Sequence, residues 1–395
     1  MLLQLPPTET PPLLPPEKTD PQDVPCSFDF AVLGAGVVGA AIALGLVRGG
    51  CRVVLFDGDD TDRRAARGNG GLVWVHGKGA AMPAYRALTC RSARAWPELA
   101  AFLLETTGID VELTQRGGLD YFLDEAEFAA RRAQLAPLNA GSALARIEFL
   151  DRGTTQSLNP RLPLGPAVIG ASYCALDGTV HPLRLLRALQ SAFLHLGGVM
   201  CAADRVQAVA ASQGGFRVEG ARSHHEAAHV VIAAGLGTAP LARELGLAVE
   251  VLAERGQMLM SEKVAPLLDL PAGGVRQLRE GTLQFGTTRE PGITTTPTSL
   301  AGLGGIARRT LAISPVFASV RLVRAWGCLR VLSRDGCPVY AESPTHPGAF
   351  VAFCHSGVTL AAAHAGELAA GLARGGLPAS LAPFHPGRFN VPHAA

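Results

Sequence analysis

Three glycines, Gly34, Gly36 and Gly39, constrain the fold of this chain more than any other feature. They follow an apolar run at 28–33 and open an alanine-rich segment. This order predicts a strand, a tight turn and a helix, in which the glycines permit the turn, a close approach of backbone to phosphate, and packing of helix on strand. The helix start also offers free N–H groups and positive dipole charge. We expect a pyrophosphate at Gly34, Gly36, Val37, Val38 and Gly39.

A second apolar run at 52–56 predicts the next strand, and it ends in Asp57. Asp57 follows Gly39 by 18 residues, close to the offset of about 20 at which a carboxylate holds the ribose of a dinucleotide. The combination predicts a dinucleotide site. The alternative is a glycine-rich turn in an ordinary buried strand–helix unit.

The length of 395 residues predicts two domains, each with its own core. With 35 basic and 33 acidic residues, the chain is nearly neutral, which argues against nucleic acid or a membrane surface as partner. The apolar run at 31–47 contains four glycines, so we interpret it as strand, turn and helix and expect no integral membrane segment.

The first 25 residues are rich in proline and lack a basic start and a continuous apolar stretch, which predicts a disordered tail at 1–25. Eight cysteines are scattered without the spacing of a zinc site. We expect reduced thiols, no metal and a cytoplasmic location.

Periodicity along the rest of the chain indicates a mixed α/β fold, α+β overall. Apolar residues at helical spacing predict helices at 83–106, 125–139, 183–196 and 358–373. Apolar runs predict strands at 117–123, 205–209, 216–219, 229–234 and 349–354, and the segment at 63–79 reads as a glycine-rich loop that leads into a strand at Trp74 and Val75. Short alternating runs between 250 and 340 predict an antiparallel sheet.

Several motifs resemble those of one family, the FAD-dependent D-amino-acid oxidase superfamily. Within it, the chain is similar to the branch of D-hydroxyproline dehydrogenase, opine oxidase and hydrogen cyanide synthase flavin subunits. The resemblance covers about residues 28 to 375. The motifs that carry it are Arg67-Gly68-Asn69-Gly70-Gly71-Leu72, Asp177-Gly178 with His181-Pro182, Arg255-Gly256-Gln257, Trp326-Gly327-Cys328-Leu329-Arg330 with Asp335-Gly336, and His355-Ser356-Gly357-Val358-Thr359.

The resemblance implies a Rossmann-like FAD-binding domain, at 26–80, 150–245 and 340–380, interleaved with an antiparallel-sheet substrate domain at 81–149 and 246–339. It implies that Asp57 binds the adenosine and that Asn69 offers its amide to the flavin. The N–H groups at the start of the last helix would stabilise negative charge on the reduced flavin ring. Beyond the first turn, the implied cofactor-binding residues are Arg67, Gly68, Asn69, Gly70, Gly71, Leu72, Val206, Gly235, Gly357, Val358 and Thr359.

Arg330 and His355 are the candidate catalytic residues. In related amino-acid oxidases the arginine of this motif binds the substrate carboxylate, a task that suits the two-pronged guanidinium group. The alternative for Arg330 is a structural ion pair, and for His355 a structural role. In sarcosine oxidase relatives a cysteine near the position of Cys328 is bonded to the flavin, but we expect the FAD to be noncovalent.

The implied activity is oxidation of a D-amino acid or secondary amine to an imine, by transfer of hydride to the flavin. The branch favours cis-4-hydroxy-D-proline, with an opine or glycine as alternatives. A different possibility is a flavin subunit that works only with a partner chain carrying an iron–sulfur cluster, since no cysteine cluster is present for one here. An NAD-dependent dehydrogenase would explain the first glycine motif but not the later ones.

Overall fold

The computed structural model of the chain describes residues 28–58, 64–139 and 145–390. The predicted tail at 1–25 and Cys26 lie outside the described residues. Arg63, the first residue of the predicted glycine-rich loop, lies outside them as well.

Within these ranges the chain forms eighteen strands, numbered in chain order. They are β1 Phe28–Leu33, β2 Val53–Phe56, β3 Leu72–Val73, β4 Gly118–Phe122, β5 Ile147–Asp151, β6 Gly170–Cys174, β7 Gly178–Thr179, β8 Val199–Cys201, β9 Val206–Ser212, β10 Gly215–Gly220, β11 His224–Ile232, β12 Leu252–Lys263, β13 Val275–Gln277, β14 Thr282–Gly286, β15 Glu290–Pro291, β16 Leu322–Leu332, β17 Val339–Glu342 and β18 Ala349–Phe353.

The described residues also form ten α-helices. They are α1 Val37–Arg48, α2 Ala65–Gly68, α3 Pro83–Thr107, α4 Glu125–Asn139, α5 Arg152–Leu158, α6 Pro182–His195, α7 Thr238–Glu244, α8 Leu300–Ile313, α9 Gly357–Ala363 and α10 Ala369–Ala373. A π-helical turn, His364–Leu368, joins α9 to α10.

The larger sheet has the strand order β17-β18-β11-β1-β2-β8, and β10 and β9 extend it from β11. Strands β18, β11, β1, β2 and β8 run parallel to one another, whereas β17 is antiparallel to β18. The parallel strands all end at the same edge, which is where open α/β sheets bind ligands. That edge carries the turns after Leu33, Phe56, Ile232 and Phe353.

Strand β1 is apolar on both faces because both faces of the sheet are covered. Phe30 and Val32 pack with α1 and the C-terminal helices, while Ala31 and Leu33 pack on the opposite side with β9, β10 and α7. From Phe30 to Leu33 every position of β1 is apolar, which is the expected pattern for a parallel strand buried on both faces. The predicted α/β fold with a Rossmann-like first unit is confirmed.

The predicted antiparallel sheet between 250 and 340 is also confirmed. Its long central strand β12 pairs antiparallel with β14, β15 and β16, and β13 pairs with β14. A three-stranded antiparallel sheet of order β4-β6-β5 adjoins it through a bridge between Leu119 and Ala272. These strands form one side of the region in which the predicted site residues lie.

The pairing of β5 and β6 differs from the domain boundaries expected from the sequence. The expected FAD-binding domain includes residues 150–174, but β6 pairs with β4 and β5 and not with the parallel sheet. Strands β8 to β11, β17 and β18 do belong to the larger sheet, in agreement with the other expected ranges. The division into two domains stays a prediction, with its boundary at residue 150 placed too early.

Two further local predictions are corrected by the structure. The strand predicted at Trp74 and Val75 ends at Val73. Beyond it the N–H groups of Val75 and His76 donate to the buried carboxylate of Asp177 and not to a neighbouring strand. The helix predicted at 358–373 is interrupted by the π turn at His364–Leu368. The helix predicted at 125–139 has the bounds of α4.

Three features of the described residues bear on cofactors and location. No helix there combines the length and the apolar character that crossing a bilayer requires. No group of three or more His, Cys, Asp or Glu side chains in the same ranges is arranged to hold a metal ion. The described cysteines, Cys51, Cys90, Cys174, Cys201, Cys328, Cys337 and Cys354, are all free thiols.

Candidate active site

The turn between β1 and α1 has the shape that the glycine motif predicts. Gly34 has a φ of +107°, and a Cβ there would lie 2.6 Å from the carbonyl oxygen of Ala233, so only glycine fits. Gly39 is needed because a Cβ would collide with the carbonyl of Gly34. Gly36 is different, since its φ is negative and a Cβ would meet only the side chain of Ala66, at 3.8 Å. Packing within the protein therefore does not require glycine at position 36. The open space in front of Gly36 is suited to the close approach of a bound ligand.

Asp57 lies at the end of β2, at the edge predicted for the adenosine. Its carboxylate accepts a hydrogen bond of 2.6 Å from Arg64, and both side chains are mostly buried. The backbone of Asp57 bonds to Cys201 and to Asp204, two residues before Val206. The structure therefore brings Asp57 and the start of β9 to the same place.

The segment at 65–72, part of the glycine-rich loop predicted at 63–79, begins as the short helix α2. Arg67 and Gly68 are its last residues. The side-chain amide of Asn69 donates to the carbonyls of Ala65 and Ala66, and its oxygen accepts from the N–H of Gly71 at 2.8 Å. The expectation that Asn69 offers its amide to the flavin is thus corrected, because that amide holds the turn after α2.

One face of the antiparallel sheet lies directly against this segment. The carbonyl of Gly68 accepts from the indole of Trp326 at 3.0 Å and from the thiol of Cys328 at 3.4 Å. A Cβ on Gly70 would contact Met258, and one on Gly71 would lie 2.7 Å from the Arg276 guanidinium. Residues 68–71 therefore cross the sheet face from β16 to β13.

The surroundings of Cys328 argue against a bond to the flavin. The residue is buried under the peptide of Gly68, and burial raises the pKa of its thiol. The thiolate is the reactive form of cysteine, so this environment disfavours reaction.

Other predicted cofactor residues meet the first turn from the C-terminal side. A Cβ on Gly357 would lie 3.1 Å from the side chain of Val38, so the start of α9 contacts the start of α1. Gly235 has a φ of +59° and faces Val331 of β16. The segment at 65–72, the start of α1, Gly235 and α9 thus surround one region between the two sheets.

Thr359 joins two of these segments. Its hydroxyl accepts from the N–H of Trp74 at 3.0 Å and lies 3.3 Å from the carbonyl of Leu72. Helix α3 holds the same turn from behind, since Ser92 donates to the carbonyl of Thr359 at 2.7 Å and Trp96 donates to the carbonyl of Val358. The sequence indicated Thr359 only as a backbone donor and gave no signal for Ser92 or Trp96.

Arg330 has a complete set of protein partners on one side. Nη1 forms an ion pair of 2.7 Å with Glu254 and also reaches the carbonyl of Arg255. Nη2 donates to the hydroxyl of Thr287 and the carbonyl of Thr288. Burial lowers the pKa of Arg330, and the charge of Glu254 opposes that shift. These contacts are those of the structural alternative, and binding of a substrate carboxylate stays a prediction.

His355 lies at the end of β18, half-buried, beside the start of α9. Burial lowers its pKa to about 3, and the positive charges of Lys78, Arg330 and Arg289 add to the shift. Its imidazole is therefore uncharged near neutral pH, and it is too weak a base to hold a proton there.

A hydrogen-bonded group next to His355 was not predicted from the sequence. The ammonium group of Lys78 donates to the hydroxyl of Ser356, which also bonds to the hydroxyl of Tyr85 at 2.7 Å. Burial lowers the pKa of Lys78 to about 8. The only sequence signal was the position of Lys78 at the end of the glycine-rich segment and of Ser356 in the last motif.

Asp177, noted in the sequence as part of a turn, is fully buried and anchors the chain after β3. It accepts from the N–H groups of Val75 and His76, at 2.6 and 3.1 Å, and from the His76 ring. The other ring nitrogen of His76 bonds to Ser172 at 2.7 Å. Burial raises the pKa of Asp177. All three side chains are buried, so this group supports the segment at 72–78.

Comparison with known proteins identifies the class that this fold and site define. The family described as FAD dependent oxidoreductase, DAO, matches residues 29–372, and the chain belongs to it. The chain is 39% identical over 329 residues to an opine oxidase subunit of Agrobacterium tumefaciens (strain Ach5), covering 83% of this chain and 88% of that protein. It is 28% identical over 340 residues to glycine oxidase of Geobacillus kaustophilus (strain HTA426), with the same coverage.

The crystal structure of glycine oxidase from Geobacillus kaustophilus has the same fold. Its TM-score is 0.81 at 26% identity, covering 93% of this chain and 100% of that one. The protein is an FAD-dependent oxidoreductase of the DAO family, as the resemblance implied. The open space at Gly36, the carboxylate of Asp57 and the meeting of α1 with α9 fit a bound FAD. With Cys328 covered, we assign noncovalent FAD.

Proposed function

We propose that this chain is the flavin-carrying subunit of an opine oxidase, which oxidises an N-carboxyalkyl amino acid at a carbon attached to its secondary amine. The observation that carries the proposal is the 39% identity to the Agrobacterium tumefaciens opine oxidase subunit over 83% of this chain. The expectation of cis-4-hydroxy-D-proline stays a prediction, and the relatives favour an opine over it. Glycine is the second candidate, because glycine oxidases match in sequence and in structure.

In this proposal FAD is held by the start of α1, Asp57, the segment at 67–72 and the amides of Gly357, Val358 and Thr359. Bound FAD supplies the acceptor for a hydride from the substrate carbon that bears the nitrogen. The substrate loses this hydride and the N–H proton, which leaves a C=N bond. Water then adds to that bond, and cleavage of the C–N bond releases a 2-oxo acid and an amino acid.

The protein contributes orientation and charge. Arg330 binds one substrate carboxylate, which fixes the face of the carbon that is oxidised. Because the pKa of His355 lies near 3, His355 does not serve as a base near neutral pH. The positive charges of Lys78, Arg289 and Arg330 lower the pKa of a bound ammonium group, and this favours the unprotonated amine that can lose hydride.

The proposal includes partner chains. The relatives in Agrobacterium tumefaciens and Rhizobium meliloti are both named as subunits. Since no cluster site lies in the described residues, an iron–sulfur centre would come from a partner chain. The free cysteines support the further proposal of a reducing, cytoplasmic location.

The test is anaerobic titration of the purified, flavin-loaded chain with octopine, glycine, sarcosine and cis-4-hydroxy-D-proline. We expect octopine to bleach the flavin absorption and to yield pyruvate and arginine in amounts equal to the flavin reduced. Bleaching by glycine or hydroxyproline but not by octopine would contradict the proposal. Readmitting air then measures whether oxygen restores the colour, and slow recovery supports transfer of electrons to a partner chain.

A further inference from the structure

Three cationic side chains from separate parts of the chain act electrostatically on His355. Lys78 follows β3, Arg289 precedes β15 and Arg330 lies on β16. The charge of each one acts on His355, and Arg289 also acts on Lys78 and on Arg330. We define Lys78, Arg289 and Arg330 as the cation cluster, because their combined charge acts on His355 beside the start of α9.

Lys78 is fixed in place by neutral groups. Its ammonium group is half-buried and donates to Ser356, the residue between His355 and Gly357. Ser356 is held in turn by the hydroxyl of the buried Tyr85. Within the described ranges no carboxylate lies at ion-pair distance from Lys78, so its charge is directed at the site without an internal counter-ion.

Arg289 is placed beside Arg330 by the register of three strands. Glu254 of β12 lies opposite Pro291, and Arg255 opposite Glu290, so the next pair sets Arg289 opposite Gly256. Gly256 has no side chain, and the Arg330 guanidinium crosses it: a Cβ there would lie 2.7 Å from Arg330 Nη2. That same nitrogen bonds to the carbonyl of Thr288, the residue before Arg289.

The carboxylates near the cation cluster leave it with excess positive charge. Glu254 pairs with Arg330, while Glu290, next to Arg289 in sequence, is bound by Arg255 and Gln257. Asp177 also acts on Lys78, but its oxygens are bound by the amides of Val75 and His76 and by the His76 ring. Even when both Glu254 and Asp177 are counted against them, the three cations leave a net positive charge. Like charges held together in a partly buried place are costly unless an anion joins them.

We infer that Lys78 and Arg289 bind a second carboxylate of the substrate while Arg330 binds the first. This inference rests on the proposed function and makes it more specific. The site then selects secondary amines with a carboxylate on each side of the nitrogen over amino acids with one. Arg289 is exposed and adjustable, whereas Lys78 is fixed, which suits a carboxylate that enters from the solvent side.

The test uses two ethers that cannot be oxidised as amines. Diglycolate has a carboxylate on each side of an ether oxygen, and methoxyacetate has one. Each is titrated into the flavin-loaded chain, with its partner chains if they co-purify, and binding is followed by the change in flavin absorption. We expect the wild-type chain to bind diglycolate at least about 10-fold more tightly, the effect of one charge-assisted contact.

The variants K78M and R289Q should each reduce diglycolate affinity by about 10-fold and leave methoxyacetate unchanged. The matched control is R308Q, which removes an arginine on α8 outside the cation cluster. K78Q replaces K78M if the methionine variant loses its flavin. A measurement of the flavin reduction potential in each variant separates an effect on substrate from one on the cofactor.

Three results would overturn the inference. The first is a wild-type chain that binds both ethers with equal affinity. The second is a fall in affinity in K78M and R289Q that is equally large for both ethers. The third is a shift in flavin potential in K78M with unchanged preference for diglycolate, which would assign Lys78 to the cofactor. A wild-type flavin that octopine does not bleach contradicts the proposed function instead, so the two failures are distinguishable.

Discussion

Arg330 illustrates what one residue in a sequence can and cannot predict. Its motif and its place on a strand were evident from the sequence, and β16 has it there. Its partner Glu254 was not, because the pairing depends on the register of β12 against β16, two strands about 75 residues apart. A single sequence contains the strands but not the offset between them. The same reason hid the position of Arg289 opposite Gly256.

The pair of Arg330 and Glu254 leads to a prediction about substrate binding. Glu254 competes with the substrate carboxylate for the guanidinium, and glutamine in its place keeps an acceptor oxygen without the charge. We expect Glu254→Gln to lower KM for the amine substrate by about 3- to 10-fold, equivalent to about 1 kcal/mol, with little change in kcat. KM and kcat are measured from steady-state rates of substrate oxidation with an artificial electron acceptor.

The control for this prediction is Glu250→Gln, which removes an exposed carboxylate paired with Arg334. It should leave KM unchanged. A higher KM in Glu254→Gln would mean that Glu254 orients Arg330 and does not compete with substrate.

The turn between β1 and α1 is the element that the sequence predicted best, because each glycine has a local reason.

The reasons for Gly36 and Gly39 differ, and two matched variants separate them. Gly39→Ala places a methyl group against the carbonyl of Gly34, so it should destabilise the FAD-free chain by about 1–3 kcal/mol. Gly36→Ala meets no protein atom closer than 3.8 Å and should leave the FAD-free chain within about 0.5 kcal/mol of wild type.

In contrast to its small effect on stability, Gly36→Ala should weaken FAD binding strongly. The added methyl occupies the space in front of the first turn, so we expect FAD affinity to fall by at least about 10-fold, or about 1.4 kcal/mol. Denaturant unfolding of the FAD-free chains and fluorescence titration with FAD measure the two effects. Equal losses of stability in both variants would contradict the distinction.

The C-terminal helical segment was predicted as one continuous helix, and the π turn within it could not be predicted from the sequence. The turn begins at His364, whose buried ring forms a hydrogen bond of 2.7 Å between its Nε2 and the hydroxyl of Tyr340. Because the partner lies on β17, 24 residues away, no local pattern marks the irregularity.

His364 makes stability depend on pH. Burial lowers its pKa from 6.5 to about 3, so below about pH 6.5 the unfolded chain takes up a proton that the folded chain refuses. The free energy of unfolding therefore falls as the pH drops from 6.5 towards 3, by up to about 1.4 kcal/mol per pH unit for this one group. His355 adds a dependence of the same sign.

The variant His364→Gln keeps a hydrogen-bonding group for Tyr340. We expect it to reduce the number of protons taken up on unfolding by about one, and so to make the free energy of unfolding depend less on pH. Denaturant unfolding of wild type and variant between pH 7 and pH 4.5 measures it. The comparison variant His195→Gln alters an exposed histidine and should keep the wild-type slope. An unchanged slope in His364→Gln would mean that His364 is protonated in the folded chain.

At the scale of the whole molecule, strands from distant parts of the described chain share one sheet. The last parallel strand, β18, pairs with β11, which in turn pairs with β1, so the first and last strands share one sheet. What the sequence did not indicate is which sheet takes β5 and β6. Short alternating strands look alike in either sheet, and only long-range pairing decides between them.

Thr359 joins two distant segments of the described chain, and it is the subject of the last prediction. Its hydroxyl accepts from the N–H of Trp74, 285 residues away in sequence. Thr359→Val keeps the shape but leaves this buried donor without a partner, at a cost of about 1–3 kcal/mol in the free energy of unfolding. The segment at 67–72 would also lose its tie to α9, so we expect FAD affinity to fall by about 10-fold.

Thr359→Ser restores the hydroxyl and should recover both quantities, which rules out an effect of the side-chain methyl group. Unfolding of the FAD-loaded and FAD-free forms, together with FAD titration, separates the two contributions. If the hydroxyl served stability alone, Thr359→Val would be destabilised equally in both forms and would bind FAD as tightly as wild type. If Thr359→Val instead lowers the free energy of unfolding more in the FAD-loaded form than in the FAD-free form, the hydrogen bond between these distant segments shapes the cofactor site. The reason is that a ligand stabilises a protein in proportion to its affinity for the folded chain, so weaker FAD binding appears as lost stability of the loaded form.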